Sequence, residues 1–304
     1  MNILLLGSNG QLGWELRRAL APLGTLTAWD EFTPDADLAQ PQRLARAVSS
    51  LRPDLVVNAA AYTAVDKAES EPALAHTINA DAPAALAQAL AEWGGLLVHY
   101  STDYVFDGSG DQPRDEDAPP APLNVYGRTK LAGEDAIRAS ACRHLILRTS
   151  WVHAARGDNF ARTMLRLAAD RDSLRVVDDQ VGAPTGADLL ADISAHALRA
   201  VARDPSLLGT YHACASGQTS FCGYARHVIG FARARGVPLK ASADTVHAIA
   251  TRDYPTPAQR PLNSRLDNRR FCAAFGLQLP DWRDGVSRML AEALQLPLTL
   301  PAAR

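Results

Sequence analysis

The chain opens on an apolar run, Met1-Asn2-Ile3-Leu4-Leu5-Leu6, which stops at a glycine-rich turn over residues 7–13 and gives way to helical spacing over 14–20. The same alternation recurs through the first half. Short continuous apolar runs stand at residues 25–29, 55–58, 96–100 and 145–147. Between them lie segments with helical spacing, among them an alanine-rich stretch over 73–93 and a helix carrying Tyr126. Strands apolar on both faces and divided by helices predict a parallel sheet covered on each side. The expected fold is α/β, a doubly wound parallel sheet of Rossmann-like type.

Beyond about residue 150 the periodicity loosens. Prolines and polar loops interrupt it at residues 181–185 and 254–261, while helical spacing returns over 160–169, 189–202 and 224–235. Residues 1–150 therefore read as the sheet domain, and 151–304 mainly as a second, smaller lobe for substrate, interleaved with the sheet. Residues 118–122 read as a loop before the Tyr126 helix, and 296–304 as a loose tail.

Composition narrows the classes of partner. At 304 residues, 47% hydrophobic and with net charge −2, the chain can bury a large core and offers no global field for nucleic acid or anionic lipid. The first apolar run is too short for a secretory leader and no stretch reaches membrane-spanning length, so a cytoplasmic protein is expected. The four cysteines lack metal-ligand spacing, and the eight histidines include no i, i+4 pair.

The chemistry begins at the glycine turn. Gly7 permits a tight bend, Gly10 lets backbone amides approach a pyrophosphate, and Gly13 allows close packing of helix on strand, with the helix N-terminus facing the anion. The second strand ends in Asp30, about twenty residues on, where a carboxylate can accept hydrogen bonds from an adenosine ribose. Residues 1–150 are thus a candidate dinucleotide-binding domain. Further candidates stand where strands end, as at Ala59, Ala60 and Ala61.

The second anchor is Tyr126-Gly127-Arg128-Thr129-Lys130, downstream of a strand ending Tyr100-Ser101-Thr102. Residues four apart share a helix face, so phenol and ammonium can act on one substrate atom. Only three of the 31 cationic residues are lysines, Lys67, Lys130 and Lys240, which suggests that a compact ammonium is wanted at 130. A nearby ammonium favours phenolate and brings the Tyr126 proton closer to transfer at neutral pH.

A dinucleotide fold carrying Thr102, Tyr126 and Lys130 resembles the extended short-chain dehydrogenase/reductase superfamily. Four further blocks, residues 101–106, 148–151, 179–185 and 255–266, resemble the dTDP-4-dehydrorhamnose reductase family. Where related dehydratases place a glutamate after Thr-Asp, this chain has Tyr104, so elimination lacks its base. The resemblance implies reduction of a dTDP-sugar ketone, with Thr102, Tyr126 and Lys130 catalytic. It implies cofactor contacts from Gly7, Asn9, Gly10, Gln11, Leu12, Gly13, Asp30, Asp37, Leu38, Ala59, Ala60, Ala61, Tyr126 and Lys130. Substrate contacts are expected from Thr102, Asp103, Tyr104, Trp151, Arg260 and Asn263, and Asn79 is a weaker candidate for a proton relay. NADPH is the expected donor, with NADH the alternative. Some resembling reductases bind Mg2+ between subunits, for which Glu15, Asp188 and Glu292 are the candidates, and a homodimer is the expected assembly. A nucleotide-sugar 4-epimerase and a non-catalytic dinucleotide-binding regulatory subunit are the rival readings.

Overall fold

The computed structural model describes residues 1–295, and the tail expected at 296–304 lies outside the described residues. Six strands, β1 (Asn2–Leu6), β2 (Thr25–Trp29), β3 (Leu55–Asn58), β4 (Leu96–Thr102), β5 (Arg143–Thr149) and β6 (Gly209–His212), form one parallel sheet in the order β6-β5-β4-β3-β1-β2. β3 and β4 are buried along their whole length, their apolar residues covered on both faces and their polar ones, Asn58, His99, Ser101 and Thr102, gathered toward the carboxyl ends. Strand order reverses between β1 and β3. That switch point opens a crevice at the carboxyl ends of the strands.

Helices cover both faces. α1 (Gln11–Leu20) and α7 (Ala187–Val201) share one hydrophobic core with Leu5, Val57, Val98 and Leu147. On the opposite face, Leu44 and Val48 of α2 (Pro41–Leu51) and Leu86 and Leu90 of α4 (Ala82–Ala91) pack on Leu4, Val56, Leu97 and Ile146. The alanine-rich segment is not one regular helix. α3 (Pro72–His76) joins α4 through a π-helical turn at Thr77–Asp81, which carries Asn79.

The second half contributes both to the sheet and to a separate core. Gly209 to His212 pair with Leu145 to Arg148, so β6 completes the sheet edge from beyond residue 150. A second hydrophobic core joins α6 (Phe160–Asp170), α8 (Phe221–Ala234) and α9 (Trp282–Ala293) around Tyr224 and Trp282. Beside it, Leu174–Val177 and Val246–Ile249 form a two-stranded parallel ribbon. Among the described residues no helix is long and apolar enough to cross a membrane.

Candidate active site

The glycine turn lies between β1 and α1 as expected. Gly7 has φ 77°, and a Cβ there would sit 2.8 Å from the Ala60 nitrogen; one on Gly13 would sit 1.9 Å from the Gly7 carbonyl oxygen. Only glycine leaves this cradle open. Gly10 caps α1 without a side-chain hydrogen bond, so the first amides of the helix keep their donors for an anion. These features fit the pyrophosphate of a dinucleotide.

Around the cradle, several cofactor candidates are engaged with their neighbours. Asp30 accepts from Asn9 Nδ2 at 2.8 Å and from the Phe32 amide at 3.1 Å. Asp37 accepts from the Ala39 amide at 2.8 Å and from Gln40 Nε2 at 3.0 Å, while Leu38 packs in the core under α2. Gln11 accepts from Asn159 Nδ2 at 3.1 Å, tying the start of α1 to a loop of the second half. Leu12 is buried against the sheet, and Ala59 to Ala61 line the end of β3.

The catalytic candidates meet at the carboxyl end of β4. α5 (Val125–Ala139) starts where Asn124 caps it, its Oδ1 accepting from the Gly127 amide at 2.8 Å, and this places Tyr126 on the first turn. Gly127 and Gly133 let α5 lie close: a Cβ would sit 2.2 Å from the Tyr104 carbonyl oxygen and 2.1 Å from the Asn79 carbonyl oxygen, respectively. The Tyr126 phenol lies in the neighbourhood of the Thr102 hydroxyl, and its ring meets Tyr104 edge-on with centroids 5.6 Å apart. Thr102 accepts from the Tyr104 amide at 3.1 Å and donates its one proton to Asp103 Oδ1 at 3.1 Å.

Electrostatics depart from expectation at the phenol. Burial pushes Tyr126 up to about 12, opposed by the neighbouring Thr102 hydroxyl and reinforced by Asp103; the Lys130 charge does not bring it down. The reason is placement. Lys130, 2% exposed, turns its Nζ to the Tyr100 carbonyl at 2.7 Å and to His99 Nε2 at 3.1 Å. Burial lowers Lys130 to about 8 against the pull of Glu134. Asp103 is raised to about 7 by burial, partly offset by the neighbouring Ser264 hydroxyl and the Thr102 hydrogen bond.

Other assignments change. Asn79 spends its amide on the Tyr62 carbonyl and Thr129 Oγ1, both at 3.1 Å, fixing the loop after β3 rather than reaching the phenol. Asn263 is engaged with its own surroundings: its Nδ2 donates to the Gln112 carbonyl at 2.9 Å and its Oδ1 accepts from Arg265, so the amide ties backbone loops together. The Arg260 fork is paired with Asp66 at 2.7 and 2.8 Å instead of standing open. Trp151 adopts φ 47°, a left-handed conformation uncommon outside glycine, and stacks on Phe221 with centroids 3.8 Å apart.

The expected Mg2+ site finds no support among the described residues of this chain. Glu15 feels Asp188 and Glu292 as repulsive neighbours, yet burial is the larger cause of its raised pKa, and Asp188 is ion-paired with Arg288. Among the described residues no group of acidic, histidine or cysteine side chains could hold a metal ion. A hard cation needs converging oxygens, and here a guanidinium claims one of them.

Residues the sequence left out line a cavity of about 420 Å³ beside Arg260, walled by Phe160, Met164 and Phe221 and edged by Arg171, Arg175 and Asp66. They come from separate elements of the second half and from the turn after β3. The Arg and Phe positions carry no common spacing, so only folding brings them together. Asp66 reads in sequence as the start of a solvated helix.

Comparison with known proteins adds a family. The model of the RmlD substrate binding domain matches residues 1–295. A dTDP-4-dehydrorhamnose reductase of Escherichia coli (strain K12) is 55% identical over 294 residues, 96% of this chain and 98% of the relative. One of Burkholderia thailandensis is 47% identical, covering 97% of this chain and 99% of the relative. A crystal structure of dTDP-4-dehydrorhamnose reductase from Bacillus anthracis str. Ames in complex with NADP superposes with TM-score 0.84 at 33% identity, covering 95% of this chain and 98% of that one.

Proposed function

The chain belongs to the RmlD substrate binding domain family, and on that premise we infer that it is a dTDP-4-dehydrorhamnose reductase. It reduces the C4 ketone of dTDP-4-dehydro-L-rhamnose to dTDP-L-rhamnose, the last step in making that sugar donor. The observation that carries the reading is a near-full-length match to reductases in a chain that keeps Thr102, Tyr126 and Lys130 together.

The enzyme uses a nicotinamide cofactor, which when bound supplies hydride to the ketone carbon. The amides of residues 7–13 cradle its pyrophosphate, and Asp30 faces its adenosine ribose. NADPH is the proposed donor; the carboxylate of Asp30, which repels a 2′-phosphate, keeps NADH as the alternative. As negative charge builds on the ketone oxygen, Tyr126 gives that oxygen a proton. Its raised pKa keeps the phenol protonated and ready to donate. Thr102 orients the same oxygen once its own proton turns away from Asp103.

Tyr104 and Trp151 offer aromatic faces to the apolar side of the deoxysugar. Arg260 meets the diphosphate when Asp66 gives way, and the cavity beyond, with Phe160 and Phe221 as walls and Arg171 and Arg175 at its rim, suits the thymidine nucleotide. The test is direct. Purified protein with NADPH and enzymatically generated dTDP-4-dehydrorhamnose should lose nicotinamide absorbance in step with sugar consumed. Sugar conversion without net cofactor oxidation would point to an epimerase and end the reductase assignment.

A further inference from the structure

A buried hydrogen-bond chain leaves the catalytic lysine in a direction the reaction does not use. Sheet register places Leu6, Asn58 and His99 side by side on β1, β3 and β4. Asn58 and His99 are 1% and 0% exposed. His99 Nε2 lies 3.1 Å from Lys130 Nζ, and His99 Nδ1 lies 3.3 Å from Asn58 Nδ2. Asn58 Oδ1 accepts from the Ala60 amide at 3.2 Å, so the chain ends at the backbone against which the Gly7 turn packs.

Counting protons shows that the chain cannot be satisfied with Lys130 charged. The Ala60 N–H fixes Oδ1 toward itself, which leaves Asn58 Nδ2, a donor, facing His99 Nδ1. A neutral imidazole has one donor and one acceptor nitrogen. Nδ1 must therefore accept, Nε2 must carry the proton, and Lys130 must receive it as an uncharged amine while donating to Tyr100. His99 is itself held neutral, because burial lowers its pKa well below the usual imidazole range.

An ammonium at Lys130 needs the opposite tautomer. Nε2 then accepts, Nδ1–H needs an acceptor, and within this chain the acceptor is Asn58 Oδ1, reached by turning the amide over. That turn releases the Ala60 N–H at the cofactor crevice. We propose that His99 is a positioning residue that couples the charge on Lys130, through Asn58, to the Ala59–Ala61 loop of the cofactor site. By linkage, a cofactor that prefers the released loop draws a proton from solvent onto the Lys130 amine, giving –NH3+.

Other charges around Lys130 do not supply this coupling. Glu134, on its own helix, is committed to Arg148 of β5 and to Arg138, and Asp103, also buried, pairs with Thr102 near Tyr126. The inference rests on Lys130 serving the reductase reaction, but its first test needs no sugar. Calorimetric titration of NADPH into the full protein near pH 8, in two buffers of different ionisation enthalpy, should report proton uptake, set by the Lys130 value of about 8. Binding without uptake would overturn the proposal.

His99→Gln places an amide oxygen where Nε2 stood, so Lys130 can stay charged without moving Asn58. Uptake should fall by about half or more, and the alkaline limb of kcat/KM for NADPH, which reports free-enzyme groups, should move up by about 0.5 to 1 pH unit. Asn58→Ala frees the imidazole in another way and should move the limb in the same direction. A folded variant with lowered turnover but unmoved limb and unchanged uptake would make His99 merely structural. Failure of the reductase reading would appear separately, as parent protein that binds NADPH with uptake yet does not oxidise it with the dTDP-sugar.

Discussion

Tyr126 is half-buried, with the Thr102 hydroxyl in its neighbourhood and its ring against another tyrosine. Burial outweighs every favourable neighbour, so the group starts protonated and suits donation rather than abstraction of a proton. Tyr126→Phe should lower kcat about 10²- to 10⁴-fold, the usual contribution of a positioned general acid, while the NADPH dissociation constant stays within about twofold. Stopped-flow turnover and fluorescence titration check the two halves. The tyrosine and lysine were legible in sequence because a four-residue spacing on a helix is local. Where the lysine points was not, since His99 and the Tyr100 carbonyl belong to another strand.

At the scale of elements, the site depends on how closely α5 approaches the π-turn at Thr77–Asp81. A short turn of this kind widens the helix locally and commonly accompanies functional sites. Here it turns Asn79 toward the Tyr62 backbone, which fixes the loop that follows β3. Gly133→Ala would drive a methyl into the Asn79 carbonyl, 2.1 Å away. The variant should lose about 1–3 kcal/mol of stability, measured as a lower urea midpoint with an unchanged slope. The alanine-rich run over 73–93 shows its helical character in sequence. The π-turn within it is invisible there, because the widening answers to packing against α5 and not to any residue of its own.

For the whole molecule, the boundary near residue 150 marks a change of sequence pattern and not a seam in the fold. β6 supplies the sheet edge beside β5, and α7 covers the face where Leu145 and Leu147 lie. A fragment of residues 1–150 would expose that edge and that core, and should show no cooperative thermal transition by circular dichroism, unlike the full chain. A sharp transition in the fragment would show that the second half is dispensable for folding. The sequence alone determined the first five strands of the sheet, the glycine cradle, and the placing of Tyr126 and Lys130 on one helix, because each is written in the period or spacing of one short segment. Tertiary structure decided the partners of Arg260, the wall of the cavity beside it, the pairing of Asp188 with Arg288, and the neighbours of Lys130. Those depend on which distant side chains share a small volume, and distance along a chain carries no record of that.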